Sequence, residues 1–74
     1  DAYYNRGLAY QNQGNLKSAI ADYSKVLYIS PNDVEVHKNR GVARKDQGDL
    51  AGAIADFTQA LINYVCEAMM NIKK

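Results

Sequence analysis

Tryptophan is absent from the 74 residues, and cysteine, proline, histidine and phenylalanine occur once each. A lone cysteine, Cys66, cannot close an internal disulfide, which excludes a disulfide-stapled secreted scaffold. The expectation is a reducing, intracellular setting, the cytoplasm, and the lack of any Asn-x-Ser/Thr sequon agrees with it. One histidine leaves no His, Cys and carboxylate set at metal-ligand spacing. Paired acid–base carboxylates, a glycine-rich phosphate loop and a Ser/His/Asp set are missing as well. The sequence therefore reads as non-enzymatic, with no cofactor. No apolar run approaches the roughly 20 residues of a membrane span. A net charge of +1, with both signs scattered, gives no attraction to nucleic acid or to an anionic membrane.

What is present is the composition of an ordinary globular domain, 47% hydrophobic and 23% charged, so a disordered tail is excluded. A chain of this size buries only about 60% of the surface its unfolded form exposes, so stability is marginal. It opens without methionine and inside a helical pattern, and reads as a piece of a longer protein.

Sliding the sequence along itself reveals one register, an offset of 34 residues with twelve identities. Asn5, Arg6, Gly7 and Ala9 match Asn39, Arg40, Gly41 and Ala43. Gln13, Gly14 and Leu16 match Gln47, Gly48 and Leu50, and Ala19 to Asp22 match Ala53 to Asp56. Leu27 matches Leu61, and Tyr23/Phe57 and Ser24/Thr58 are conservative pairs.

Each copy reads as two helices. Gly14 and Gly48 suit a left-handed helix end, and Asn15 and Asp49 suit the N-cap of the next helix. Leu16, Ala19, Ile20, Tyr23 and Leu27 form an apolar stripe at helical spacing. Ser30-Pro31 closes that helix, because proline disfavours helical geometry before it and lacks an N–H. Asn32-x-x-Glu35 has the spacing of a capping box opening the third helix. Gly7 and Gly41 sit mid-helix at a cost of about 1 kcal/mol each, which asks for a packing reason. Ala19 and Ala53 are the expected partners. The repeated Arg6/Arg40 and Asp22/Asp56 invite ion pairing, with Arg40 expected to reach Asp22 across the repeats. His37 is expected as an aromatic substitute packed between helices, and Cys66 as a buried or half-buried thiol.

The period and its punctuation resemble the tetratricopeptide (TPR) repeat. The first copy is similar to it through Tyr3, Gly7, Tyr10, Ala19, Tyr23 and Pro31, and departs at Arg6, where the family has leucine. The second is similar through Gly41, Ala53, Phe57 and Ala60, and departs at His37, Arg44 and Val65. The resemblance implies an all-α fold: two tandem helix-turn-helix repeats of an α-solenoid, repeat 1 over 1–33 and repeat 2 over 34–63. It also implies a protein–protein interaction scaffold whose first helices line a concave groove for a peptide or partner helix. Carried over position by position, that groove presents Tyr4, Asn5, Leu8, Gln11, Lys38, Asn39, Val42 and Lys45.

One TPR subclass grips the carboxylate end of chaperone tails. Asn5 and Asn39 match its asparagine, but Tyr4, Leu8 and Glu35 stand where it needs other residues, so no such clamp is expected. RNA-reading helical repeats are a rival class, weakened by the 34-residue register and the near-neutral charge.

After Leu61 the pattern changes. Residues 64–74 contain no proline or glycine to stop the fourth helix, which is expected to run to about residue 72. Leu61, Val65, Ala68, Met69 and Ile72 continue the apolar stripe, and Lys73 and Lys74 suit the helix dipole. This extension either folds back as a cap or pairs two chains into a homodimer through Leu61, Val65, Met69 and Ile72. The absence of a turn residue favours the homodimer.

Overall fold

The computed structural model describes residues 1–72; Lys73, Lys74 and the side chain of Ile72, with the expectations attached to them, lie outside the described residues. Four helices follow in chain order: α1 (Ala2–Asn12), α2 (Leu16–Ile29), α3 (Val34–Asp46) and α4 (Leu50–Ile72). The described residues contain no strand. Each helix packs on its chain neighbour, so the chain forms two antiparallel hairpins laid side by side.

The two tight turns are built alike. Gly14 and Gly48 take φ of 80° and 88°, a region that a Cβ would penalise. Gly14 N–H donates to Gln11 O (3.0 Å) and Asn15 N–H to Tyr10 O (2.8 Å). Gly48 N–H donates to Lys45 O and Asp49 N–H to Arg44 O, both at 2.9 Å. This double bond pattern is a Schellman end. The residue that completes it then caps the next helix: Asn15 Oδ1 accepts from Ser18 N–H, and Asp49 Oδ1 accepts from Gly52 N–H at 2.9 Å. One residue thus closes one helix and opens another, which is why each turn needs only three residues between helices.

The entry to α3 differs from the capping box read at Asn32. Asp33 is the N-cap, its Oδ1 accepting from Val36 N–H at 3.3 Å. Asp33, not Asn32, stands directly before the first helical residue, and its carboxylate also meets the positive end of the helix dipole.

Between the hairpin arms, the glycines answer to rings and not to the alanines expected. A Cβ on Gly7 would lie 2.7 Å from Cε1 of Tyr23, and one on Gly41 the same distance from Cε1 of Phe57. Ala19 and Ala53 are buried one helical turn earlier. The small residue on one arm makes room for an aromatic on the other.

Tyr23 is the centre of the core, fully buried with Ala19, Val26, Leu27 and Val36, and flanked by Tyr4, Leu8 and Tyr10. Its hydroxyl donates to Gln11 Oε1 at 2.6 Å, and burial pushes its pKa above the ordinary tyrosine value, with the neighbouring Tyr4 adding to the effect. Val36 carries α3 onto this cluster and so joins the two hairpins.

The repeated charges also pair differently from the expectation. Arg6 forks onto Asp22 (Nε–Oδ2 2.7 Å, Nη2–Oδ1 2.8 Å), and Arg40 forks onto Asp56 (2.9 and 2.7 Å), each within its own hairpin. Arg40 does not pair with Asp22. The turn holds the arms in a register that brings residues 16 apart face to face, while the step to the next hairpin leaves Arg40 only Nη1 for the neighbour, donated to Ser24 Oγ at 3.1 Å.

Past Asn63, α4 continues unbroken to Ile72. Nothing in the described residues folds back on it. Cys66 is exposed, against the expectation of a covered thiol, because it lies on this projecting part of α4.

Candidate protein-interaction face

α1 and α3, the first arms of the two hairpins, lie in register across the repeat boundary. Asn39 Nδ2 donates to the Tyr4 hydroxyl at 2.9 Å, and the Tyr4 ring tilts against Tyr23 at 6.1 Å between centroids. Both residues were expected in a groove, and both are also structural ties. Leu8 is half-buried against the core, and Gln11 is occupied by the Tyr23 hydroxyl. Val42 is half-buried. Asn5, Lys38 and Lys45 are exposed, Lys38 meeting Glu35 in a surface pair at 3.1 Å that is worth about 0–1 kcal/mol. The face therefore has apolar and amide groups held in place by the core, with free polar side chains around them.

A cleft of about 480 Å³ opens beside this face, lined by Asp1, Tyr4, Val26, Ser30, Asp33, Glu35 and Val36. Apolar walls (Val26, Val36, Tyr4) meet a rim of three carboxylates. Asp1 and Asp33 are fixed there as N-caps of α1 and α3, so their charge is placed by the helices themselves. Apart from Tyr4, sequence reading did not single out these residues for binding. The available signal was the repeat itself, which puts Asp1 and Glu35 at the same register position at two helix starts.

His37 is buried, with Nε2 donating to the Pro31 carbonyl at 2.8 Å and Nδ1 3.4 Å from Asp56. It packs between helices as expected. Asp56 gathers Arg40, Arg44 and His37. Burial pushes its carboxyl up, but the Arg40 hydrogen bond and charge, the Arg44 charge and the His37 contact outweigh it and hold it below the ordinary range. Asp22 is held low by the Arg6 hydrogen bond, against the opposing cost of burial. Among the described residues, no group of three His, Cys, Asp or Glu stands close enough to hold a metal ion. No described helix is long and apolar enough to cross a membrane.

The proposed dimer residues Leu61, Val65 and Met69 are 63, 44 and 55% exposed on α4. Asn63, where a fold-back would have needed a kink, lies on the opposite, buried side of α4 with Asp56 and Ala60, its Oδ1 accepting from Gln59 Nε2 at 3.0 Å.

Antiparallel helix pairs repeated along the chain and stacked arm against arm define a helical-repeat protein of the α-solenoid class. The tetratricopeptide repeat model matches residues 1–33. The crystal structure of MamA is similar at 32% identity and a TM-score of 0.89, over 93% of this chain and 40% of that chain. The match over residues 1–33 and this likeness support a tetratricopeptide repeat family for the chain. It spans 40% of the length of MamA. None of the curated proteins matches it. Tetratricopeptide repeats generally mediate protein–protein interaction, and the fold typically serves as a non-enzymatic scaffold.

Proposed function

We propose that the chain is a docking module that holds a peptide or a partner helix on the face shared by α1 and α3, through Tyr4, Asn5, Leu8, Gln11, Lys38, Asn39, Val42 and Lys45. The observation that carries this reading is the Asn39–Tyr4 hydrogen bond, which ties the two first arms into one continuous surface across the repeat boundary. The adjoining cleft offers an apolar seat under carboxylates, so the fitting ligand carries an apolar anchor next to a basic residue. The groove binds by shape and hydrogen bonding and needs no cofactor.

The test is a random-peptide display selection on the chain, followed by calorimetry of the selected peptides on variants. Glu35→Lys combined with Asn39→Ala is expected to weaken binding about tenfold or more, equivalent to about 1.4 kcal/mol. Selected peptides whose affinity ignores these changes would place the binding surface elsewhere.

A second reading is supported by the unbroken run of α4 through Asn63, which leaves Leu61, Val65 and Met69 bare. It makes the projecting end of α4 a homodimer contact. Light scattering is then expected to give twice the 8.2 kDa chain mass, and Val65→Asp to return the monomer. A wild-type chain that stays monomeric across a concentration series rejects this reading.

A further inference from the structure

The internal repeat supplies its own measure of what is uncovered. Leu27 on α2 is 7% exposed beneath α3, while its counterpart on α4, Leu61, is 63% exposed. Tyr23 is 0% exposed and its counterpart Phe57 is 37% exposed. Ser24 receives the Arg40 guanidinium, and its counterpart Thr58 keeps a hydroxyl at the same place, exposed. α4 thus presents the surface that α2 uses to seat α3, with no helix on it.

The opposite end of the molecule shows the complement. The residues by which α3 seats on α2 are Val36, in the core cluster, and Arg40, through Nη1. Their counterparts on α1 are Ala2 and Arg6, both exposed. Arg6 engages Asp22 through Nε and Nη2, as Arg40 engages Asp56, which leaves Nη1 pointing to no described acceptor. The Arg40 side chain is 17% exposed and that of Arg6 is 52% exposed, a difference that a covering helix would remove.

We propose that α1 of one copy of this chain docks on α4 of a second copy, repeating between molecules the α3-on-α2 contact that exists within one. Ala2 and Arg6 meet Leu61 and Thr58, and Arg6 Nη1 donates to the Thr58 hydroxyl. Because each guanidinium arrives already neutralised by its own aspartate, its burial carries no unpaired charge. The contact is heterologous: the two faces are different surfaces of one chain, so stacking does not close at two copies and continues head to tail. The change from Val36 to Ala2 removes apolar contact, so the association is weaker than the intramolecular seat.

Sedimentation velocity from micromolar to millimolar concentration tests this on the chain itself and on two variants at exposed positions, Ala2→Glu on α1 and Leu61→Asp on α4. Wild type is expected to show a mass that rises past twice 8.2 kDa without a plateau. Each variant alone is expected to be monomeric, with unchanged helical circular dichroism. Their equimolar mixture is expected to form a one-to-one complex, joining the intact α4 of the first to the intact α1 of the second. A mixture of folded variants that stays monomeric overturns the proposal. So does a wild-type chain that is monomeric throughout, or a closed dimer that Ala2→Glu leaves intact, the latter being the signature of the symmetric α4 contact.

Discussion

Replacing Asp56 by alanine is expected to cost about 3 kcal/mol of folding stability, measured by urea denaturation at neutral pH. Removing one member of a buried ion pair typically costs about 3–5 kcal/mol because the partner is left uncompensated. Here the value falls at the lower end. The stranded groups are Arg40 and Arg44, whose side chains are 17% and 25% exposed and can turn towards water. Asp22→Ala is expected to cost less, because its partner Arg6 is already half in solvent. For a chain this small, total stability is about 4–11 kcal/mol, so Asp56→Ala removes a large part of it.

The same carboxylates set the acid response. Asp22 and Asp56 have native pKa values below the unfolded value of about 3.9, so their contribution is complete above that pH. It is lost as the pH falls below about 3.9 towards the native values, where the folded state must give up its two ion pairs. Acid unfolding of wild type is therefore expected to begin in that window, and Asp22→Asn with Asp56→Asn to flatten the dependence. A double variant whose stability falls with acid as steeply as wild type would contradict this assignment.

The second large effect is Gly7→Ala, expected to destabilise by about 2 kcal/mol and to lower the melting temperature by roughly 10 °C. Alanine gains about 1 kcal/mol of helix propensity over glycine at a mid-helix site. That gain is overtaken, because the new methyl would lie 2.7 Å from a Tyr23 ring that cannot withdraw. Tyr23 is fully buried and its hydroxyl is tied to Gln11. Gly41→Ala meets the same distance from Phe57, a ring that is 37% exposed and bears no hydroxyl, so it can swing outward. That substitution is expected near neutral. Equal melting temperatures for the two variants would remove the argument from ring mobility.

The repeat lets local and non-local information be separated residue by residue. Helix ends were legible because they are local: Gly14 with Asn15 and Gly48 with Asp49 satisfy backbone groups within five residues. The run of α4 to Ile72 was legible for the converse reason, since no proline or glycine interrupts it. At the candidate site, the repeat register put Tyr4 and Asn39 on first arms, but not their mutual hydrogen bond, nor the cleft rimmed by Asp1, Asp33 and Glu35.

From the sequence alone come the four helices, the two glycine turns with the caps at Asn15 and Asp49, the two-repeat architecture and the side of each helix that carries apolar groups. All of these follow from periodicity and short-range hydrogen bonding, whereas the cap of α3 stands one residue beyond the Asn32 that the sequence spacing indicates. Only the tertiary structure decided which arginine meets which aspartate, because twofold repetition offers Arg40 an equivalent acid in either hairpin and the register of the arms selects Asp56. It alone set the rings of Tyr23 and Phe57 over Gly7 and Gly41 and left Cys66 in solvent. These outcomes depend on where one helix lies against another, a relation between residues far apart along the chain that no local pattern encodes.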